Sequence, residues 1–412
     1  MTFLYFFSFP DFNLYSTPLL ILVLQGLIFS GLLFSRYHQK RNISDVLLGI
    51  ILLITCYHRT TYTIGFMGWY DTFRNTKINY YLVNLSLFMA PLLYFYVKSV
   101  TTSDFRLTKK GYYHFIPGVL YFLFKMVVLV YDSTQPGFDD TQNGYLVVNL
   151  QWKYVEPILT ILTICQMLLY LAFTFQLYYL HRRNIQHFFS NTYKLELNWI
   201  RNFLYIYSFL FIYEIMQIVI NLSITELSWK QKWWEQFFSA LAIIYIGIKG
   251  YFTNTIKLTN LNYGNSNAIF HNYILGSEVV PTKKKIGTKE QSADFITKKE
   301  LLENFIENEK PYLNPDLNLV ELSKKLGMTR GELSELINEG FGLNFNDFIN
   351  QYRVDAVKQM LANGKHQQLS LLGIAYECGF NSKATFNRVF KKITQTSPTE
   401  YLKSITDQTL LD

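Results

Sequence analysis

The chain has 412 residues, half of them hydrophobic and 17% aromatic, with only 17% charged, where a soluble domain carries about a quarter. The shortage of charge is confined to the first two-thirds, which excludes a single soluble body and predicts two, one lipid-facing and one aqueous. The net charge is +8, but the stretch 313–404 holds eleven basic against nine acidic residues, so charge alone gives no nucleic-acid signal.

A spanning helix needs about 20 mostly apolar residues. Seven segments qualify, at roughly 18–35, 44–64, 79–99, 112–131, 154–180, 198–222 and 232–253. The first, Pro18 to Ser35, carries no charge and is followed at once by Arg36 to Arg41, which includes Lys40. A signal peptide carries its positive charge before the apolar run, so this segment is expected to be retained, with the N-terminus outside. With that orientation the inner loops hold ten Lys and Arg residues and the outer loops five, in accord with the excess of cations on cytoplasmic loops. Residues 1–253 are thus expected to form a seven-helix membrane domain, and an odd number of spans leaves the C-terminus in the cytoplasm.

Ionisable groups within a span are costly and mark functional candidates. Arg59, Lys125 and Glu214 lie within spans and Glu156 and Glu235 near span ends, with His58, Asn84 and Gln217 at similar depth. By the alternation of helix direction all of them fall toward the outer leaflet. Two readings stay open. One is a polar cavity that takes up an extracytoplasmic signal, and the other is an internal ion-pair set, such as Lys125 with Glu214, that holds helices in register.

From 254 to 309 the pattern changes to a juxtamembrane linker. Asn254, Asn260, Asn262, Gly264, Asn265 and Asn267 break any periodicity, the basic run Lys283 to Lys285 follows, and a helix is predicted over Thr297–Glu309 with Leu301, Leu302, Phe305 and Ile306 at helical spacing. Cys56, Cys165 and Cys378 are odd in number, far apart and match no ligand spacing, so neither a disulfide nor a metal site is expected. The sequence carries no phosphate-binding glycine loop, no paired metal-ligand histidines and no nucleophile motif. No catalytic residue, cofactor or enzymatic activity is therefore expected.

Two stretches of the last quarter resemble each other, Leu319–Ile337 and Leu371–Phe390. Each has a short helix, a small residue (Ser323, Ala375) and a glycine four positions later (Gly327, Gly379). The glycine permits a turn and the small side chain lets two helices cross closely. An N-cap follows in each, Thr329 or Ser382, and then an amphipathic helix; Thr329 and Glu332 have capping-box spacing. Between the units, Asn344 to Ala362 reads as one long helix, with Phe345, Phe348, Tyr352 and Val357 suited to packing. Ser397, Pro398 and Glu400 supply N-cap, first position and capping box for a last helix.

These features, with the segments Ile374–Phe380 and Phe390–Lys392 through Ser397, Pro398 and Tyr401, resemble the DNA-binding domain of the AraC/XylS family over about 310–404. The units fall at about 313–343 and 369–404, and 405–412 is a tail. The membrane half is similar, more loosely and by architecture, to membrane-bound members from Bacteroidetes-type bacteria. The resemblance implies an all-α chain: a seven-transmembrane-helix bundle followed by a soluble domain of two helix-turn-helix units joined by a long linker helix. It implies a bacterial inner-membrane regulator, double-stranded DNA as partner, and a recognition helix of each unit in the major groove; a homodimer on DNA is expected because one weakly charged reader binds poorly at physiological salt. On the second recognition helix Phe386, Val389, Phe390 and Ile393 are expected to face the core, and Lys383, Ala384, Asn387, Arg388 and Lys391 the solvent. Arg388 and Asn387 are the expected base readers, with Lys383, Lys391 and Lys392 on phosphates. The first unit would offer Arg330, Gly331, Ser334, Glu335 and Asn338, a face made less basic by Glu332 and Glu339. The competing reading is a membrane transporter or enzyme with a regulatory protein-binding tail.

Overall fold

A backbone segment in lipid must satisfy its own N–H and C=O groups, which restricts apolar spans to helices or closed barrels. The computed structural model describes residues 10–69, 82–102, 105–136, 144–192, 197–252 and 293–409. Apart from a single isolated bridge, every regular element among them is helical. Two units divide the chain, one of Met1–Tyr178 with Asn198–Leu261 and one of Tyr179–Leu197 with Asn262–Asp412.

The first unit contains α1 (Ser16–Lys40), α2 (Ile43–Phe66), α3 (Ser86–Thr101), α4 (Ile116–Ser133), α5 (Glu156–Phe188), α6 (Asn198–Ser223) and α7 (Trp229–Phe252), with the last residues of α5 counted in the second unit. By length and composition, five helical stretches among the described residues are able to cross a membrane: Ser16–Lys40, Ile43–Phe66, Lys109–Ser133, Val147–Phe188 and Asn198–Ser223. Seven were expected, and the two that differ have physical reasons. Helix α3 runs for only 16 residues, and residues 79–81 of that expected segment lie outside the described residues. Helix α7 has 24 residues but carries Lys230, Lys232, Glu235 and Lys249.

Helices α1, α2 and α7 pack closely. A Cβ added to Gly26 on α1 would come within 2.5 Å of both Cys56 Sγ on α2 and Ile243 Cγ2 on α7, so only glycine allows this crossing. At one end of the trio Arg36 joins all three. It pairs with Asp45 at 2.5 Å and donates to the backbone carbonyls of Gly250, at 3.0 Å, and Tyr251. At the other end Asn13 Nδ2 donates to the Phe66 carbonyl at 2.8 Å and Trp233 Nε1 to the Tyr15 carbonyl at 2.9 Å. The C-terminal ends of α1 and α7 therefore share one end of the unit, with the start of α2. Large aliphatic side chains elsewhere in the unit are left exposed, among them Val127, Ile158, Ile161 and Ile212.

The second unit holds α8 (Ala293–Glu309), α9 (Leu319–Lys325), α10 (Arg330–Phe341), α11 (Phe345–Ala362), α12 (Leu371–Glu377), α13 (Lys383–Thr394) and α14 (Pro398–Thr409). The starts of α9 to α14 are set by the side chains that sequence places there. Asn318, Thr329, Asn344, Ser370 and Ser382 accept from the backbone N–H groups of Glu321, Glu332, Asp347, Gly373 and Thr385, satisfying donors that a helix leaves open at its first turn. Thr329 and Glu332 complete a reciprocal capping box. Ser397 and Glu400 do the same at the head of α14.

Helix α11 is the shared wall of two cores. Its first half contributes Phe345, Phe348 and Ile349 to a cluster with Leu302, Ile306, Leu319, Leu322, Leu333 and Ile337. Its second half contributes Val354, Val357 and Leu361 to a cluster with Ile374, Ala375, Phe380, Phe386 and Phe390. Helix α8, expected within the linker, thus supplies Leu302 and Ile306 to the first of these cores. The basic run Lys283–Lys285 lies outside the described residues.

Candidate nucleic-acid interface

The turn that orients each second helix is the same in both helix-turn-helix motifs. Leu326 N–H donates to Leu322 O and Met328 N–H to Ser323 O in the first; Cys378 N–H donates to Ile374 O and Phe380 N–H to Ala375 O in the second. This is the six-to-one closure of a helix by a left-handed residue, and the residues in that conformation are Gly327 at φ 66° and Gly379 at φ 87°. The crossing residues Ser323 and Ala375 are buried, as the spacing predicts.

Beyond the second turn α13 carries its polar groups on one side. Phe386, Val389 and Phe390 are buried and Ile393 is half-buried, whereas Lys383, Ala384, Asn387, Arg388, Lys391 and Lys392 are exposed. Phe390 packs edge-on against Tyr401 of α14, with ring centroids 5.4 Å apart, which fixes the roll of α13 about its axis. A surface formed by one Arg, one Asn and three Lys on a rigid helix presents donors for base edges and cations for phosphates. Lys392 is partly engaged, since its Nζ pairs with Asp347 at 2.7 Å.

On α10, Leu333, Leu336 and Ile337 are buried, Gly331 and Glu335 exposed, and Ser334 and Arg330 half-buried. Asn338 Nδ2 donates to Ser334 Oγ at 3.3 Å. Arg330 sits over the ring of Phe188, 6.0 Å from its centroid. The Glu332 carboxylate accepts from the Thr329 hydroxyl and backbone N–H and pairs with Lys298 at 3.4 Å; the Thr329 hydroxyl bond first, then these others, hold it below the usual carboxylate range.

Arg353 on α11 is buried at 1% exposure, a feature that sequence reasoning missed. Its Nε donates to Tyr312 O and one Nη to Asn314 O, both at 2.8 Å. Burial pushes its pKa down to about 10, so it stays charged at neutral pH. Through these bonds α11 fixes the chain that enters the first helix-turn-helix, and Gly379 of the second helix-turn-helix abuts the same place.

The polar residues of the first unit fall into two sets. Arg59 donates to Ser239 Oγ at 2.8 Å and to Gln236, and pairs with Glu235 at 3.4 Å; Glu214 is within electrostatic reach of both Glu235 and Arg59. His58 Nε2, one residue earlier, accepts from the Leu85 N–H at 3.1 Å, while Asn84 Oδ1 accepts from the Ser86 N–H. Gln217 lies on α6, half-buried, one turn after Glu214. In the other set Lys125 donates to Gln151, and Gln151 and Tyr121 both donate to Glu156, each at 2.9 Å. Lys125 thus bonds Gln151 and lies within electrostatic reach of Glu156 and Asp132. Gln151 is carried by the π-helical stretch Val147–Val155.

Residues 322–404 match a family model described as a helix-turn-helix domain. The segment is similar to an uncharacterized HTH-type transcriptional regulator of Staphylococcus aureus (strain COL), 33% identical over 90 residues, which cover 22% of this chain and 12% of that protein. It is also similar to the probable transcriptional regulator LumQ of Photobacterium leiognathi, 28% identical over 101 residues, covering 24% of this chain and 38% of that protein. The chain thus spans well under half the length of either relative. No solved structure matches it significantly. The carboxyl-terminal part of the chain is a helix-turn-helix domain of AraC type.

Proposed function

We propose that the chain is a membrane-embedded one-component transcriptional regulator whose C-terminal unit binds specific double-stranded DNA. The observation that carries this reading is the exposed face of α13, with Asn387 and Arg388 flanked by Lys383 and Lys391 on a helix rolled into place by Phe386, Phe390 and Tyr401. Arg388 reads guanine, Asn387 reads adenine and the lysines bind phosphates. Arg330, Ser334 and Glu335 of α10 form a second, weaker reader, Gly331 leaving room for close approach of the backbone. Because the DNA-binding segment carries little net charge, a single copy binds poorly at physiological salt and two copies act together.

Membrane embedding is supported by five helical stretches of sufficient length and apolarity and by the aliphatic side chains left outside the first unit. Arg36 at the shared end of α1 and α7 supports an odd number of crossings with that end toward the cytoplasm. The Arg59–Glu235–Gln236 set then lies toward the opposite face, where it receives a signal. The test is selection from a randomised duplex pool by the intact protein in lipid nanodiscs. Enrichment of one motif, with affinity that falls as salt rises, supports the reading; a pool left unenriched overturns it.

A further inference from the structure

Helix α5 ends at Phe188, and the residues just after it, counted in the second unit, are fastened to the helix-turn-helix domain by a set of directional bonds. Ser190 is fully buried. Its N–H and hydroxyl both donate to the Leu317 carbonyl, at 3.2 and 2.6 Å. Its carbonyl accepts from Asn346 Nδ2 at 2.8 Å and from Arg353 at 3.3 Å, and its hydroxyl accepts from Arg353 at 3.1 Å. Phe189 forms an antiparallel bridge with Asn318, and its carbonyl also accepts from Asn346. The seat is made from the N-terminal half of α11 and the strand-like approach to α9, and it is polar, directional and closed to water. Phe188 then lies against the first core, its ring beneath Arg330 at the head of α10.

Such a seat is more than ordinary loop contact. A buried guanidinium is stable only with oxygen acceptors around it, and Ser190 supplies two of the four that Arg353 uses. Asn346 likewise directs both its amide bonds at this segment. We infer that residues 188–192 are an intrachain docking peptide for the helix-turn-helix domain, seated on Leu317, Asn346 and Arg353, and that the docked Phe188 shields Arg330 and the first recognition helix from DNA. The shielding rests on the DNA-binding reading above; the docking does not. Because the peptide is the direct continuation of α5, a change in that helix has a route to the first reader that bypasses the linker after α7. Undocking exposes Arg330 and leaves the second reader unchanged.

The experiment uses the full chain in lipid nanodiscs, in the native form and as Ser190→Arg, which sets a cation against Arg353, and Phe188→Ala, which removes the cover over Arg330, together with some packing on the first core, and keeps the bonds of Ser190. Hydrogen exchange reads the docking. The native chain is expected to protect the Ser190 amide, and Ser190→Arg to lose that protection while α12 and α13 keep theirs. Fast exchange at Ser190 in the native chain overturns the docking. The motif enriched from the duplex pool, as a labelled duplex, reads the shielding. If the docked form holds about nine molecules in ten, both variants bind more tightly by up to about tenfold, the limit reached when binding requires both readers and apparent affinity scales with the undocked fraction. A change of less than about twofold in Phe188→Ala overturns the shielding, and this variant decides alone if Ser190→Arg loses protection throughout the domain. No enriched motif from any form overturns the DNA-binding reading and the shielding with it, leaving the docking to the exchange result.

Discussion

Replacing Gly379 by alanine drives a methyl group into the backbone that leads into the first helix-turn-helix. The new Cβ would fall inside contact distance of the Tyr312 carbonyl oxygen and 3.0 Å from both Leu313 O and Arg353 Nε. None of these is the free end of a flexible chain, and the Tyr312 carbonyl is itself held by Arg353. The residue must also keep φ near 87°, which costs an L-residue about 1–2 kcal/mol. Overpacking of this kind adds about 1–3 kcal/mol, for a total of about 2–5 kcal/mol. Gly327 is an internal control. It has the same turn at φ 66°, but nothing lies within 4 Å of its Cβ position, so Gly327→Ala loses only the conformational part, about 1–2 kcal/mol. Thermal unfolding of the intact protein followed by exchange at α9 and α12 distinguishes them. With about 4–8 °C per kcal/mol for a domain of this size, Gly379→Ala melts well below Gly327→Ala. Equal losses at the two glycines would refute the close approach of Gly379 to Tyr312 and Leu313.

Three further outcomes follow. Arg353→Met leaves the Tyr312 and Asn314 carbonyls buried without their donor, at about 1–3 kcal/mol for each, and Arg353→Lys fails to restore stability because an ammonium lacks the planar fork; chemical unfolding reads both. Glu332 and Glu400 are held below the usual carboxylate range by bonds from their cap residues Thr329 and Ser397. Their folded pKa is depressed, so the stability they add is present above the unfolded value and lost as pH falls through the folded one. The melting temperature should drop on acidification below the ordinary carboxylate range, with a shallower slope in Glu332→Gln. Lys391→Ala should weaken binding to all duplexes alike and reduce the slope of log affinity against log salt by about 0.9; an altered sequence preference would contradict its phosphate role.

Local chemistry explains what was legible in the sequence. N-caps, capping boxes and left-handed glycines act over a few residues, so Thr329, Ser382, Ser397, Gly327 and Gly379 could be read directly, and the duplicated pattern gave the two units. The exposed face of α13 followed from helical periodicity for the same reason. What was not legible depends on distant partners. Arg353 looks like any surface cation until Tyr312, Asn314 and Ser190 surround it. Lys392 meets Asp347, 45 residues away. The polar residues of the bundle share a depth in sequence, but side-chain reach across particular helix pairs sorts Arg59 with Glu235 and Lys125 with Gln151. The seat of Ser190 joins residues more than a hundred positions apart and has no local signature.

The central claim is sequence-specific DNA binding by the C-terminal unit of a membrane protein, and crosslinking with immunoprecipitation of the intact chain across the genome tests it most directly, with Arg388→Ala in parallel. The account predicts discrete peaks that share a motif and fade in the variant, since one bidentate contact to a base is worth about 1–3 kcal/mol of discrimination. Absence of enrichment in both forms, or identical peaks in both, would contradict it.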